Sequence, residues 1–193
     1  MKNLSQKTDN LLVQEFLQGN SRSLEILISR YKDKLFSSIL FIVKDKYLAE
    51  DLFQDAFIKI IENIRNNRYI EEGKFLPWAT RIAHNLCVDY FRKVKRSPAI
   101  KTSDDKDIFE LFTTPESASD VRIVQEETSD RVRQVLNLLP DEQREVIVLR
   151  HYADLSFKEI AAMTNCSINT SLGRMRYGLI NLRKLLAEKN IAL

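Results

Sequence analysis

Glycine and proline are scarce in this chain. Among 193 residues there are 4 of each, where average usage of ~7% and ~5% would supply roughly 13 and 10. Sheets joined by many tight turns need more of both residues, so the shortage predicts long, uninterrupted helices. Cysteine is scarcer still: Cys87 and Cys166 make 2 in all, too few for a disulfide framework. His84 and Cys87 form a His-x-x-Cys pair, but a structural zinc site takes four ligands at matched spacing, and no second pair stands near. Small packing residues are the preferred reading, and no metal or other cofactor is expected.

Long apolar runs are missing too. The longest nearly apolar stretch, residues 35–43, falls well short of the ~20 residues of a membrane-spanning helix. The opening residues Met1-Lys2-Asn3-Leu4-Ser5-Gln6 lead into an amphipathic pattern instead of the apolar core of a secretory signal. A cytoplasmic protein without membrane insertion is therefore expected. Ser-His-Asp order, a glycine-rich phosphate loop and metal-ligand spacing are all lacking, so the chain is not expected to be an enzyme and no residue is assigned a catalytic role.

Strong net charge of either sign is also absent, at +3 overall, but the balance is a cancellation. From Arg81 to Arg96 five cations face one anion, a net +4. From Ser97 to Glu127 three cations face eight anions, a net −5. From Arg174 to Lys189 five cations again face one anion, a net +4. A chain that reads basic, acidic, basic suggests two polyanion-binding regions with an acidic connector.

What is present is helical periodicity. Apolar residues recur at Leu24, Leu27, Ile28, Tyr31 and Leu35, then at Leu52, Phe53, Ala56, Phe57, Ile60, Ile61 and Ile64, the spacing of helices in one bundle. Asn66-Asn67-Arg68 has turn character and Glu71-Glu72-Gly73-Lys74 reads as a short loop. Pro77 suits the first turn of the next helix, where its missing N–H has no intrahelical partner. That helix is predicted to run through Trp78, Ile82, Leu86 and Tyr90 to Arg96. Between Ser97 and Glu127 prolines, serines and threonines break the pattern, which predicts a flexible acidic linker. Its Ile108-Phe109 and Leu111-Phe112 cluster is unusual for a pure spacer and suggests a docking segment. Periodicity resumes at Val132, Val135, Leu136 and Leu139, stops at Pro140, and returns through Val146 to about Ala153.

Ser156-Phe157-Lys158-Glu159 is a capping box, which fixes a helix start. A short helix to Thr164, a turn at Asn165-Cys166-Ser167 and a second helix from Ile168 make a helix-turn-helix pattern. Met175, Leu179, Leu182, Leu185 and Leu186 are expected to point inward. The second helix of such a motif enters the major groove with its N-terminal residues toward the bases, and here those are short polar side chains followed by Arg174 and Arg176, groups suited to base edges and phosphates. An ordinary antiparallel helix pair with a solvated basic face is the other reading. Upstream, Tyr69, Phe75, Trp78, Tyr90 and Phe91 lie among Arg81, Arg92, Lys93, Lys95 and Arg96, a mixture of stacking faces and cations suited to single-stranded nucleic acid. For any single aromatic, helical spacing favours the core over a stacking platform, with Trp78 balanced between the two.

These residues carry a resemblance. The segment from about Leu24 to Arg96, with the motifs Ala49-Glu50-Asp51-Leu52-Phe53-Gln54-Asp55-Ala56-Phe57 and Phe75-Leu76-Pro77-Trp78-Ala79-Thr80-Arg81-Ile82-Ala83-His84-Asn85, resembles domain 2 of the extracytoplasmic-function (ECF) group of sigma-70 family sigma factors. The segment from Leu139-Pro140 through the capping box to Leu182-Arg183-Lys184-Leu185 resembles domain 4 of the same group. The resemblance implies an all-α chain of two small helical domains: residues 8–96 as domain 2, 97–127 as the linker and 128–188 as domain 4, with the helix-turn-helix at about 156–177. It implies a bacterial transcription initiation factor that binds core RNA polymerase, directs it to promoter DNA and is restrained by an anti-sigma factor. Asp51, Leu52, Gln54, Asp55 and Phe57 are then expected on the polymerase-binding helix. Tyr69 and Asn85 are expected near a base flipped from the −10 element and Arg81 and His84 at the same element, with Arg92, Lys93, Lys95 and Arg96 on phosphates. Arg150, Ser167, Asn169, Thr170, Ser171, Leu172, Gly173, Arg174, Arg176 and Tyr177 are expected at the −35 element. Ser171-Leu172-Gly173 departs from the group's commonest pattern, so promoter sequence does not carry over from relatives. A helix-turn-helix repressor or activator that never joins polymerase is the alternative, and it has no need of the Asp51-Gln54-Asp55 surface.

Overall fold

The computed structural model describes residues 7–69, 74–96, 132 and 134–189. Every regular element among them is helical, as the shortage of glycine and proline predicts. The helices are α1 (Asp9–Leu17), α2 (Ser21–Val43), α3 (Lys46–Arg65), α4 (Phe75–Arg96), α5 (Asp141–His151), α6 (Phe157–Met163) and α7 (Ile168–Glu188), with a further helical turn at 134–137. The expected loop at 71–73, the acidic linker with its Ile108-Phe109 and Leu111-Phe112 cluster, and the start of the second domain at 128 lie outside the described residues.

Polar side chains start these helices. Thr8, Asn20, Asp45, Ser156 and Ser167 each accept a hydrogen bond from a first-turn N–H, satisfying donors that have no partner within the helix. The capping box at Ser156 and Glu159 forms in full. Among the described residues, chain reversals are made mostly without glycine: Lys44, Asn67, Asp154 and Asn165 hold φ between 52° and 61°, and Gly19 is the glycine with positive φ there. Asparagine and aspartate tolerate this region because their short side chains bond locally. A chain poor in glycine can therefore still end its helices.

Helices α1 to α4 enclose a continuous core. Leu12, Leu27, Leu35, Ile60, Ile64, Phe75 and Ala79 are buried together, and Ile39, Ala49, Ala56, Ala83 and Cys87 extend it along α2, α3 and α4. Helices α5 to α7 surround Val146, Leu149, Ala153, Leu155 and Ile160. On α7, Met175, Leu182, Leu185 and Leu186 face inward as expected. Leu179 does not: it lies 37% exposed, a correction to the expected inward stripe, because the stripe follows Ser171, Met175, Gly178 and Leu182, one step round the helix from Leu179.

The two groups of helices share an apolar contact. Phe41, near the end of α2, is buried with Leu136, Leu139, Ile147 and Val148, and its ring lies 5.2 Å from that of Tyr152. Arg144, buried on α5, donates from Nε to the Phe41 carbonyl at 2.9 Å and from Nη2 to Asp141 Oδ1 at 2.8 Å. The Phe41 carbonyl belongs to the last turn of α2, where carbonyls lack intrahelical donors and the helix dipole favours a cation. Arg144 thus caps one helix from another. Lys34–Asp154, Lys44–Asp141 and Lys74–Glu159 ring the contact as exposed ion pairs, each worth ~0–1 kcal/mol in water.

Candidate nucleic-acid and polymerase interfaces

Helix α4 buries its first half and bares its second. Phe75, Leu76, Ala79, Thr80, Ala83, His84 and Cys87 point inward, whereas residues 91–96 are all exposed. Helical spacing sets Arg81, Asn85, Arg92 and Arg96 along one exposed stripe, with Lys93 and Lys95 beside it. Arg92 makes a long exposed pair with Asp89 at 3.6 Å. At the start of the stripe is a cleft of about 410 Å³ lined by Arg68, Tyr69, Lys74, Pro77, Trp78, Arg81 and Glu159. The Tyr69 and Trp78 rings are 4.6 Å apart and both pack on Phe75, so each aromatic serves the core and a wall of the cleft at once. Arg68 and Lys74 were missed by the sequence reading; two cations flanking the expected loop beside Tyr69 were the available signal.

His84 stands apart from the other residues expected near the −10 element. It is 3% exposed, and its Nε2 lies 2.8 Å from Glu145 Oε1 of α5. In this arrangement it faces the other group of helices, while Arg81 and Asn85 on the same helix are open to solvent. Cys87 is buried in the core, and burial pushes its thiol up to about 12. It packs as a small apolar group, and among the described residues no three His, Cys, Asp or Glu side chains converge to hold a metal.

In the helix-turn-helix, α6 and α7 are joined through Thr164, Asn165, Cys166 and the cap Ser167. The Ser167 hydroxyl accepts from the Thr170 N–H at 3.0 Å and lies 2.8 Å from the Thr170 hydroxyl. Ser167, Asn169, Thr170, Leu172, Arg176 and Tyr177 are not enclosed by the fold, Tyr177 being 60% exposed. Three expected −35 residues are placed differently. Ser171 is fully buried under α7. Arg174 leans back to Glu142 of α5 at 3.2 Å. Arg150 donates to the Leu155 carbonyl at 2.9 Å and lies over the Phe157 ring. At the start of α6, burial would raise the Glu159 carboxyl, but the Ser156 hydroxyl and N–H and the Lys74 ammonium outweigh it and hold the group below the usual range.

On α3 the expected polymerase-binding residues divide between two faces. Leu52 and Phe57 are buried in the core, and Asp51, Gln54 and Asp55 are exposed. The exposed side also carries Tyr47 at 80% and Ile58 at 55%, aligned with Asp51 and Gln54 at helical spacing. Large apolar side chains left exposed beside polar ones mark a candidate protein-binding surface, and their break with the buried periodicity was the sequence signal for them.

An all-helical chain with a helix-turn-helix and a second, separate cationic helix face defines a class of DNA-directed regulatory proteins. The comparisons with known proteins narrow it. The Sigma-70 region 2 family model matches residues 27–97, and the Sigma-70, region 4 model matches residues 129–171. The ECF RNA polymerase sigma factor SigM of Bacillus subtilis is 30% identical over 145 residues, covering 75% of this chain and 83% of that one. RNA polymerase sigma-H factor of Pseudomonas aeruginosa is 29% identical over 180 residues, covering 89% and 90%. The fold is shared with the Bartonella quintana sigma factor RpoE solved with the anti-sigma factor NepR, at a TM-score of 0.63 over 86% of this chain and 98% of that one with 22% identity. It is shared also with CnrH solved with the cytosolic domain of CnrY, at 0.61 over 94% and 99%, again with 22% identity. The chain belongs to the sigma-70 family, in its ECF group, and is a transcription initiation factor. A repressor that never joins polymerase is not favoured. Among the described residues no helix is long and apolar enough to cross a membrane.

Proposed function

We propose that this ECF sigma factor divides its work among three surfaces. The exposed side of α3, with Asp51, Gln54 and Asp55, binds core RNA polymerase. The cleft beside Tyr69 and the cationic stripe of α4 hold the opened −10 element, and α7 reads the −35 element. Residues 8–96 act as domain 2, 97–127 as the linker and 128–188 as domain 4. The observation that carries this reading is the separation of the exposed cations of α4 from the exposed face of α7, each backed by its own packed helices. Base capture costs a few kcal/mol of stacking, and a cleft walled by rings and cations before DNA arrives offsets that cost. The factor acts in the cytoplasm and contributes no catalysis of its own. An anti-sigma factor restrains it, as a sigma factor of the same fold has been solved with such a partner. Mixing the purified protein with bacterial core polymerase should yield promoter-specific transcripts; failure to bind core overturns the proposal.

A further inference from the structure

Two glycines stand in the middle of α7, and the fold explains one of them. A Cβ on Gly178 would meet Ile147 Cδ1 at 2.9 Å and Gln143 Cβ at 3.3 Å, so α5 packs too closely there for a side chain. A Cβ on Gly173 would meet nothing within 4 Å. Its backbone is helical, with no positive φ, so no turn requires glycine either. Glycine inside a helix costs conformational entropy that alanine does not, and among the described residues nothing at this position offsets it.

The place of Gly173 on the helix indicates what does. Ser171, Met175, Gly178, Leu182 and Leu186 form the inward stripe, and Gly173 lies opposite it. Asn169 stands one turn before it, and Arg176 and Tyr177 one turn after, all exposed. The bare position is therefore the centre of the outward face, flanked by an amide and a guanidinium able to read base edges.

We propose that Gly173 is the point at which the backbone of α7 meets duplex DNA, its missing side chain setting how deeply the helix seats and so whether Asn169 and Arg176 reach the bases. This rests on the reading of α7 as the −35 helix. Glycine is the residue that lets a backbone approach a ligand closely. The flanking apolar residues Leu172 and Tyr177 then rest against thymine methyls and sugars at the depth the glycine permits.

The test uses the full chain on core polymerase and, as probe, the duplex that this wild-type holoenzyme selects from a randomised pool. Gly173→Ala should raise the Tm of the free chain by about 2–4 °C and leave core binding unchanged. It should weaken binding to the selected duplex by about tenfold or more, the cost of losing a good base contact, and Gly173→Val should weaken it further. Arg176→Ala is run beside them. If Gly173→Ala binds the duplex as wild type does while Arg176→Ala is weak, the role of Gly173 is overturned and the −35 reading stands. If both bind as wild type does, or the wild type selects no sequence, both readings fall. A lowered Tm overturns the proposal by returning the glycine to the fold, and a loss of core binding overturns it by giving the face to a protein partner.

Discussion

Helices α4 and α7 carry the same net charge over their basic stretches and use it in opposite ways. At the end of α4 every residue from 91 to 96 is exposed, and four of them are cations set beside Tyr90 and Phe91. On α7 the inward stripe continues as far as Leu186, Arg174 is drawn back to Glu142, and the open face presents Asn169, Thr170, Leu172, Gly173 and Arg176. The first surface fits a flexible polyanion with unstacked bases, where charge and ring faces matter and base identity matters little. The second fits a duplex groove, where a few groups at fixed depth discriminate. Equal charge, laid on an exposed helix end or on a packed helix, makes two kinds of surface.

The sharpest way to break this contrast is to remove the cations of α4. Replacing Arg92, Lys93, Lys95 and Arg96 together with alanine should cost about 100-fold or more in promoter affinity of the holoenzyme near physiological salt, and flatten the dependence of log K on log salt by about 3. Fluorescence titration at several salt concentrations measures both, and an unchanged slope would place the phosphate contacts elsewhere. Next in size, Arg176→Ala on α7 should cost about 1–3 kcal/mol and relax the preference at one base pair. Binding to a panel of single-base variants checks it; a uniform loss that varies with salt would make α7 a phosphate holder like α4. Gly178→Ala should destabilise the chain by about 1 kcal/mol by denaturant titration, overpacking against Ile147 outweighing the gain in helix propensity. An increase in stability would mean that α5 gives way and that the two glycines of α7 do not differ.

The smallest effect expected is that of acid on the ties between the two groups of helices. Burial raises Asp141, but Arg144 and Lys44 outweigh it, and its carboxyl, like that of Glu159, lies below the usual range. A carboxyl depressed in the folded state contributes stability above its unfolded value and loses it as pH falls through the folded value. The denaturation midpoint should therefore fall as pH drops from about 7 to about 3, with Glu159→Gln removing less than about 1 kcal/mol of that change because the pair is solvent-screened. A Glu159→Gln protein with the full acid sensitivity of the wild type would free Lys74, and the start of α4, from any tie to α6.

Much of this was legible in the sequence, and the reason is locality. The capping box at Ser156 and Glu159, the proline in the first turn of α4 and the turn at Asn165-Cys166-Ser167 each depend on residues within one turn of one another. The same holds for the exposure of Asp51, Gln54 and Asp55, since a strong apolar period on one side of α3 leaves the other to solvent. Illegible were the residues whose role depends on a distant element. Leu52 and Phe57 read as part of the polymerase surface and lie in the core. Ser171 read as a groove residue and is buried, and Leu179 read as core and is exposed, because the crossing of α5 over α7 fixes the phase of the inward stripe.

Local sequence was enough to set the helical class of the chain, where its helices begin, where its positive charge gathers and that its second half holds a helix-turn-helix. It does so because hydrogen bonds close over three or four residues and charge can be counted without coordinates. The packing of distant segments sets that Arg144 caps α2, 103 residues away in sequence, that His84 turns to Glu145, and that, among the described residues, one glycine of α7 answers to Ile147 while the other answers to none. Those outcomes depend on which surfaces meet, and close packing between distant segments leaves no period in a sequence.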